Sequence, residues 1–353
     1  MSFSSKINHF RVFVMQTLTR GIGRSKTAVI RESENQTIKK VLICRPNSRL
    51  GNQLMITPLV QDVSEAFPNC KIDLFVRGFL APIIFQNYTQ INRIIRLPKK
   101  PFKELFSYMK VWVSLRKYQY DLVINVDHGS SSGRMSTAFS RGRYKLFCDV
   151  IDELEKKYKD YRHMAKFPVY NFRYMMGQSD STKIETPIPT LDIKLDGKEM
   201  ANGKSVLHAI VNNNKKTIAI YTFATNEKCY STSWWGEFYE KLQSAFGRQY
   251  NIMEVLPIEN VSQINFKAPN YYSRDIREIA SVIANTEVFI GADSGMMHLA
   301  SASPAPTVGL FSVTDTERYR PYNNRSMAVN TNEMSQDEII MEINTILQTN
   351  SII

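Results

Sequence analysis

The feature that most constrains this chain is an alternation, from Lys39 onward, of short apolar, β-branched runs with longer segments of helical period. Lys40 to Arg45 (KVLICR), Lys71 to Arg77 (KIDLFVR), Ile91 to Leu97 and Asp121 to Asp127 (DLVINVD) read as strands. Gln53 to Phe67, Phe79 to Tyr88 and Phe102 to Tyr118 between them read as helices. Strands this apolar need cover on both faces, and a parallel sheet with crossover helices provides it. The segment Thr186 to Thr190 (TPIPT) interrupts the series with two prolines and marks a domain boundary. A second series follows. Thr217 to Phe223 (TIAIYTF), Asn251 to Leu256, Glu287 to Ala292 and Thr307 to Phe311 are its strands. Ser233 to Phe246, Ser273 to Asn285 and Ser294 to Ala302 are its helices, and Met334 to Leu347 a closing one. A chain of 353 residues outgrows one core, so the expectation is two α/β domains.

Charge divides along the same line. Residues 1–204 hold 34 Lys and Arg against 18 Asp and Glu, a net +16, whereas residues 205–353 hold 11 against 15, a net −4. Eight basic residues, Lys6, Arg11, Arg20, Arg24, Lys26, Arg31, Lys39 and Lys40, fall within the first 40. An anionic surface or substrate on that side follows. In the same arm Phe3, Ile7, Phe10, Val14 and Leu18 recur at helical steps, which suits either an interfacial helix on anionic lipid or an extra helix docked on the domain. The longest apolar run there, Val12 to Met15, falls far short of the ~20 residues of a membrane span. Four scattered cysteines without a C-x-x-C pair, and five histidines without H-x-x-x-H spacing, argue against a disulfide framework or a zinc site. No recognition motif accompanies the basic charge, so nucleic acid is not the expected partner.

The segment richest in chemistry is Gly291-Ala292-Asp293-Ser294-Gly295-Met296-Met297-His298. A buried strand ends, a Ser-Gly turn follows and a helix begins, which aims unpaired N–H groups and the positive end of a helix dipole at whatever binds there. A diphosphate fits such a seat. The alternative is purely structural: Asp293 or Ser294 caps the helix and His298 fills a core position.

With these residues in view, the run RDIREIASVIANTEVFIGADSGMMHLASASPAPTVGLFSVTDTERYRP resembles the C-terminal signature of glycosyltransferase family 9, the ADP-heptose:lipopolysaccharide heptosyltransferases. VLICRPNSRLGNQLMITPLVQDVSEAFPNCKIDLFVRG resembles that family's opening strand, glycine loop, Thr-Pro helix and second strand. The resemblance implies a GT-B fold, two Rossmann-like domains facing a central cleft. The divisions would be a basic amphipathic arm (1–38), an acceptor domain (39–190), a nucleotide-sugar domain (191–332) and a C-terminal helix (333–353). It implies inverting transfer without a metal, and no Asp-x-Asp pair occurs in the chain. ADP-heptose would be the donor and an anionic lipopolysaccharide-type glycolipid the acceptor. The enzyme would sit peripherally on the inner face of the bacterial cytoplasmic membrane, held by the basic arm.

By the same resemblance Asp293, Ser294, Gly295, Met296, Met297 and His298 would surround the donor diphosphate, with Thr314 nearby. Glu259 is either a ribose partner or an exposed loop carboxylate. Two positions depart from the family pattern. A carboxylate is usual after the loop glycine, where it is the expected general base, but this chain has Gly51-Asn52. An amide cannot take a proton at neutral pH, so Asn52 would orient the acceptor hydroxyl. Asp127, at the end of the fourth strand, becomes the substitute base, or else it caps the following helix. A phosphate-binding Lys two residues before the helix Trp is replaced by Thr232, leaving Lys228 to reach the same phosphate or to stand in solvent. Arg45, Asn47, Arg49, Gly51 and Asn52 crowd one strand-to-helix loop as an acceptor group suited to phosphates or carboxylates. Two rivals remain at this level: transfer of another sugar, since the G-N-Q loop also resembles that of some fucosyltransferases, and a noncatalytic nucleotide-sugar or glycan binder.

Overall fold

The structure is a computed structural model that describes residues 30, 36–98, 104–176, 186–323 and 325–350. The arm helix expected between Phe3 and Leu18 lies outside these residues, as do Lys99, Lys100 and Lys103. The chain gathers into two compact units. The first contains residues 1–48, 56–82 and 88–189; the second contains 49–55, 83–87 and 190–353.

The first unit is built on five strands, β1 (Lys40–Arg45), β2 (Lys71–Arg77), β3 (Ile91–Leu97), β4 (Gln119–Asn125) and β5 (Arg141–Leu146), ordered β3-β2-β1-β4-β5. Every pairing is parallel. The expected helix from Gln53 divides into α1 (Leu50–Leu54) and α2 (Thr57–Ala66). Pro58 explains the break: its ring is tolerated in a first helical turn and excluded from an interior, so the helix restarts around it. Further along are α3 (Leu105–Ser114), α4 (Ser131–Phe139) and α5 (Phe167–Met175). The strand from Asp121 begins and ends two residues earlier than its apolar run suggests, which leaves Asp127 beyond β4. Leu42, Cys44, Phe75, Leu97, Tyr120 and Val123 form the core on the α3 side of the sheet.

The second unit carries six strands, β6 (Lys216–Tyr221), β7 (Tyr250–Val255), β8 (Asn270–Tyr271), β9 (Val288–Ala292), β10 (Thr307–Phe311) and β11 (Met327–Asn330), ordered β11-β10-β9-β6-β7-β8 and again all parallel. Its helices are α6 (Gly197–Val211), α7 (Thr232–Phe246), α8 (Ile276–Ala284), α9 (Gly295–Ser301) and α10 (Gln336–Asn350). Helix α10 belongs to this core, where Ile339 and Ile343 lie among Val308, Leu310 and Trp235. The four cysteines are free thiols, and Cys44 is buried.

In both sheets the strand order reverses beside the first strand of the series: between β1 and β4 in one, between β6 and β9 in the other. Open α/β sheets bind ligands at the carboxyl ends of the strands at such a switch.

Candidate functional site

In the first unit the switch brings Arg45, the last residue of β1, beside Asp127, two residues past β4, because Cys44 and Asn125 are register partners. The Arg45 guanidinium forms an ion pair with Asp127. The Gly129 N–H donates to the other carboxylate oxygen at 2.9 Å. Asn125, fully buried, donates from Nδ2 to the Asp127 carbonyl (2.8 Å) and to the Phe147 carbonyl (3.0 Å), which pins the backbone under the carboxylate. Burial taken alone would raise the Asp127 pKa. The charge and hydrogen bond of Arg45, with the Gly129 N–H and His128, outweigh it and hold the carboxyl below the usual range. Asp127 does not cap α4; Ser130 does, accepting from the Gly133 N–H at 3.1 Å.

The five residues expected as one acceptor loop divide. Arg45 and Asn47 stay with the first unit, whereas Arg49, Gly51 and Asn52 are packed with the second. Arg49 is exposed and Asn52 half-buried. The reason is steric: a Cβ at Gly51 would lie 2.4 Å from His298 Cδ2, and one at Gly295 would lie 3.1 Å from Leu50 Cβ. Two glycines therefore let α1 and α9 approach more closely than any other residues would allow. Arg134 is taken up by an ion pair with Asp149 at 2.5 Å, and Arg141 and Arg143 are exposed on edge strand β5.

The second unit's switch gathers Lys228, Asp293 and His298. Asp293 follows β9 directly, is buried, and donates its N–H to the Leu310 carbonyl at 2.9 Å. The Lys228 ammonium, carried on the turn Asn226–Lys228, pairs with the Asp293 carboxylate. Lys228 is thus brought to the motif, while Thr232 is exposed in the first turn of α7. His298 Nε2 lies 3.9 Å from Asp293 Oδ1. Burial pushes the imidazole pKa down to about 4, more than Asp293 can restore, so His298 is neutral at physiological pH. Ser294 caps α9, its hydroxyl accepting from the Met297 N–H at 3.3 Å. The structural role considered for Ser294 is therefore real, and it coexists with an N-terminus whose first turn has no intrahelical acceptors for Gly295 and Met296. Met297 is buried and Met296 half-buried.

Thr314 is half-buried on the loop after β10. Glu259 is exposed on the loop after β7, close enough for its charge to help burial raise the Tyr221 phenol pKa at the end of β6. Trp235 is core and Trp234 stacks on Tyr230 at 4.4 Å, so both tryptophans pack the start of α7.

One positioning residue was not anticipated. Glu254, fully buried in β7, accepts from Thr222 (2.5 Å) and Ser262 (2.6 Å), while the Gln263 N–H donates to Thr222 at 3.0 Å. It thereby ties down the loop that carries Glu259, and burial raises its pKa. Its signal was a lone carboxylate inside an apolar strand run, NIMEVL. Among the described residues no three His, Cys, Asp or Glu side chains come together as a metal-ligand set, and no helix is long and apolar enough to cross a membrane.

Residues 272–344 match the family Glycosyltransferase family 9 (heptosyltransferase). The lipopolysaccharide heptosyltransferase 3 of Escherichia coli is 21% identical over 304 residues, which cover 78% of this chain and 84% of that protein. Among solved structures, a glycosyl transferase family 9 protein from Veillonella parvula DSM 2008 superposes with a TM-score of 0.69 at 15% identity, covering 88% of this chain and 97% of that one. The E. coli ADP-heptose lps heptosyltransferase II gives 0.64 at 15% identity, covering 88% and 99%. At such identities the likeness establishes the fold, which is GT-B with two Rossmann-like α/β domains.

Proposed function

We propose that this chain is a family 9 glycosyltransferase of the heptosyltransferase type, which moves heptose from ADP-heptose to an anionic lipopolysaccharide-type glycolipid, with inversion and without a metal ion; the match of residues 272–344 and the likeness to a heptosyltransferase support this. The observation that carries this is the second unit's switch point, where Lys228, Asp293 and neutral His298 meet at the start of α9. A diphosphate there would find the first-turn N–H groups of α9 and an ammonium that can exchange Asp293 for a phosphate oxygen. Fixed positive potential of this kind stabilises the charge that grows on the leaving group.

The reaction is a single displacement. Asp127 takes the proton of the acceptor hydroxyl, the acceptor oxygen bonds to the anomeric carbon, and the bond from that carbon to the diphosphate breaks, releasing ADP. Arg45 keeps Asp127 ionised and oriented. Asn52, packed with the donor-side unit, hydrogen-bonds a hydroxyl and takes no proton. Thr314 and Glu259 complete the donor surroundings, and Arg45 and Asn47 contribute to acceptor recognition. The protein works at the inner face of the bacterial cytoplasmic membrane, with the net +16 of residues 1–204 directed at acceptor and lipid and no role for nucleic acid.

A thermal-shift screen of nucleotide sugars tests the donor, because a true donor stabilises the folded state by linkage. Stabilisation by ADP and ADP-heptose is expected, with turnover insensitive to chelator and an inverted anomeric product by NMR. Stabilisation by GDP- or UDP-sugars alone would overturn the heptose assignment.

A further inference from the structure

Helix α3 (LFSYMKVWVS) buries one face and exposes another that is equally apolar. On the inner side Tyr108, Val111 and Trp112 pack against the first unit's core, and Trp112 sets its ring edgewise on Phe75 (5.7 Å) and Phe139 (6.1 Å). On the outer side Phe106, Met109 and Val113 are 91%, 56% and 57% exposed. Their spacing of three and four residues places them on a single stripe. A helix on an ordinary solvated surface carries polar residues there. Met135 and Phe139 of α4, both partly exposed, continue the patch past the Phe139–Trp112 contact.

The charge beside this stripe is mostly basic: Lys110, Arg116, Lys117 and Lys145 lie on or near α3 and α4, against Glu104 at the start of α3. Lys110 adjoins Met109 in sequence, Arg116 and Lys117 follow the helix end, and the Arg116 guanidinium lies 5.2 Å over the Phe139 ring. Lys145, bonded to the Ala138 carbonyl, belongs to the same group. An apolar stripe rimmed by cations matches an anionic bilayer, whose acyl boundary takes the side chains while its headgroups take the charge. A second copy of this chain would set like charges against each other. Nucleic acid would leave the apolar stripe unsatisfied.

We propose that this face docks the first unit on an anionic lipid surface, with Phe106, Met109 and Val113 entering the acyl boundary and Lys110, Arg116 and Lys117 meeting the headgroups. The inference gives the folded domain its own membrane contact, separate from the N-terminal arm, and it does not depend on which sugar is transferred.

The test is co-sedimentation of the full chain with phosphatidylcholine vesicles, with and without phosphatidylglycerol. Wild type should bind the anionic vesicles, and binding should fall as salt is raised. The triple variant Phe106→Ser, Met109→Ser, Val113→Ser should lose about tenfold or more of that binding, with an unchanged Tm and unchanged stabilisation by ADP-heptose. Lys110→Gln, Arg116→Gln, Lys117→Gln should weaken the dependence on phosphatidylglycerol, and should remove it when residues 2–24 are also deleted. Phe106→Glu alone, at a side chain that makes little contact, serves if the triple variant is unstable. The proposal falls if the serine variant binds as wild type, or if deleting residues 2–24 abolishes binding and the α3 variants do not alter it. It falls equally if light scattering reveals a dimer that the serine variant dissociates, which would assign the face to a second copy. Because no sugar or acceptor is present, this result is independent of the donor screen.

Discussion

The two switch points share a topology and differ in the cation that stands beside the aspartate. In the first unit Arg45 closes on Asp127 with both side chains largely withdrawn from water; in the second, Lys228 reaches Asp293 with over a third of its side chain still exposed. Arginine's planar fork, buried at a strand end, fixes a carboxylate in one orientation and keeps it ionised. A lysine ammonium on a flexible stem is a movable point charge that can trade one oxygen partner for another. The first arrangement suits a group that must accept a proton in a set geometry, and the second a group that must greet an arriving phosphate. The neutral His298 sharpens the contrast, since it adds a hydrogen-bonding ring to the second site without adding charge.

The largest effect that would break this comparison is on Asp127. Asp127→Asn should lower kcat by about 10²–10⁴-fold, the range for loss of a general base, with stabilisation by ADP retained because the proposed diphosphate seat lies in the other unit. Unchanged turnover would remove Asp127 from the chemistry. Next, Lys228→Met should weaken ADP binding by about 10- to 100-fold by calorimetry, equivalent to roughly 1.4–2.8 kcal/mol. If affinity is unaltered, the lysine is a structural partner of Asp293 alone.

The third test is on pH. An unfolded His298 gains its proton near pH 6.5 and the folded one not until about pH 4, so the unfolded state binds more protons between those values and stability falls as pH drops through that window. The loss is on the order of 3 kcal/mol at most. Urea unfolding of wild type and His298→Asn at pH 7 and pH 4.5 should show the variant missing that part of the slope. Gly51→Ala should cost about 1–3 kcal/mol, because the new Cβ would overlap His298 Cδ2 at 2.4 Å and force the two helices or the ring to shift. Gly236→Ala, in the interior of α7 where nothing lies within 4 Å of the added Cβ, should instead gain up to about 1 kcal/mol.

Legibility in the sequence followed burial. Strands buried along nearly their whole length, such as β1 and β9, are uninterrupted apolar runs and read directly. Edge strand β5 (RGRYKL) has one buried residue and carries no such pattern. Helix α6 is announced by its cap more than by its hydrophobic period: the Asp196 and Glu199 side chains each bond the other's backbone N–H, a capping box spelled D-G-K-E. At the site, the strand–turn–helix around Asp293 was legible because local chain geometry makes it. The pairings Arg45–Asp127 and Lys228–Asp293 join residues 82 and 65 apart and depend on strand order, which periodicity does not encode. The partition of the Arg45-to-Asn52 loop was hidden for a related reason, since Gly51 is read locally as a turn residue while its actual neighbour is His298.

That partition has a practical corollary for anyone exchanging parts between such enzymes. The second unit is a discontinuous module: residues 49–55 supply α1, and residues 83–87 are held by Arg277, which donates to the Ile83 carbonyl, and by Asn87, which donates to the Lys194 carbonyl at 2.7 Å. A graft cut only at the proline-rich TPIPT segment would transplant α9 without the helix it grew against. A chimera intended to change donor preference must therefore carry both short inserts with residues 190–353, three pieces of sequence making one transferable part.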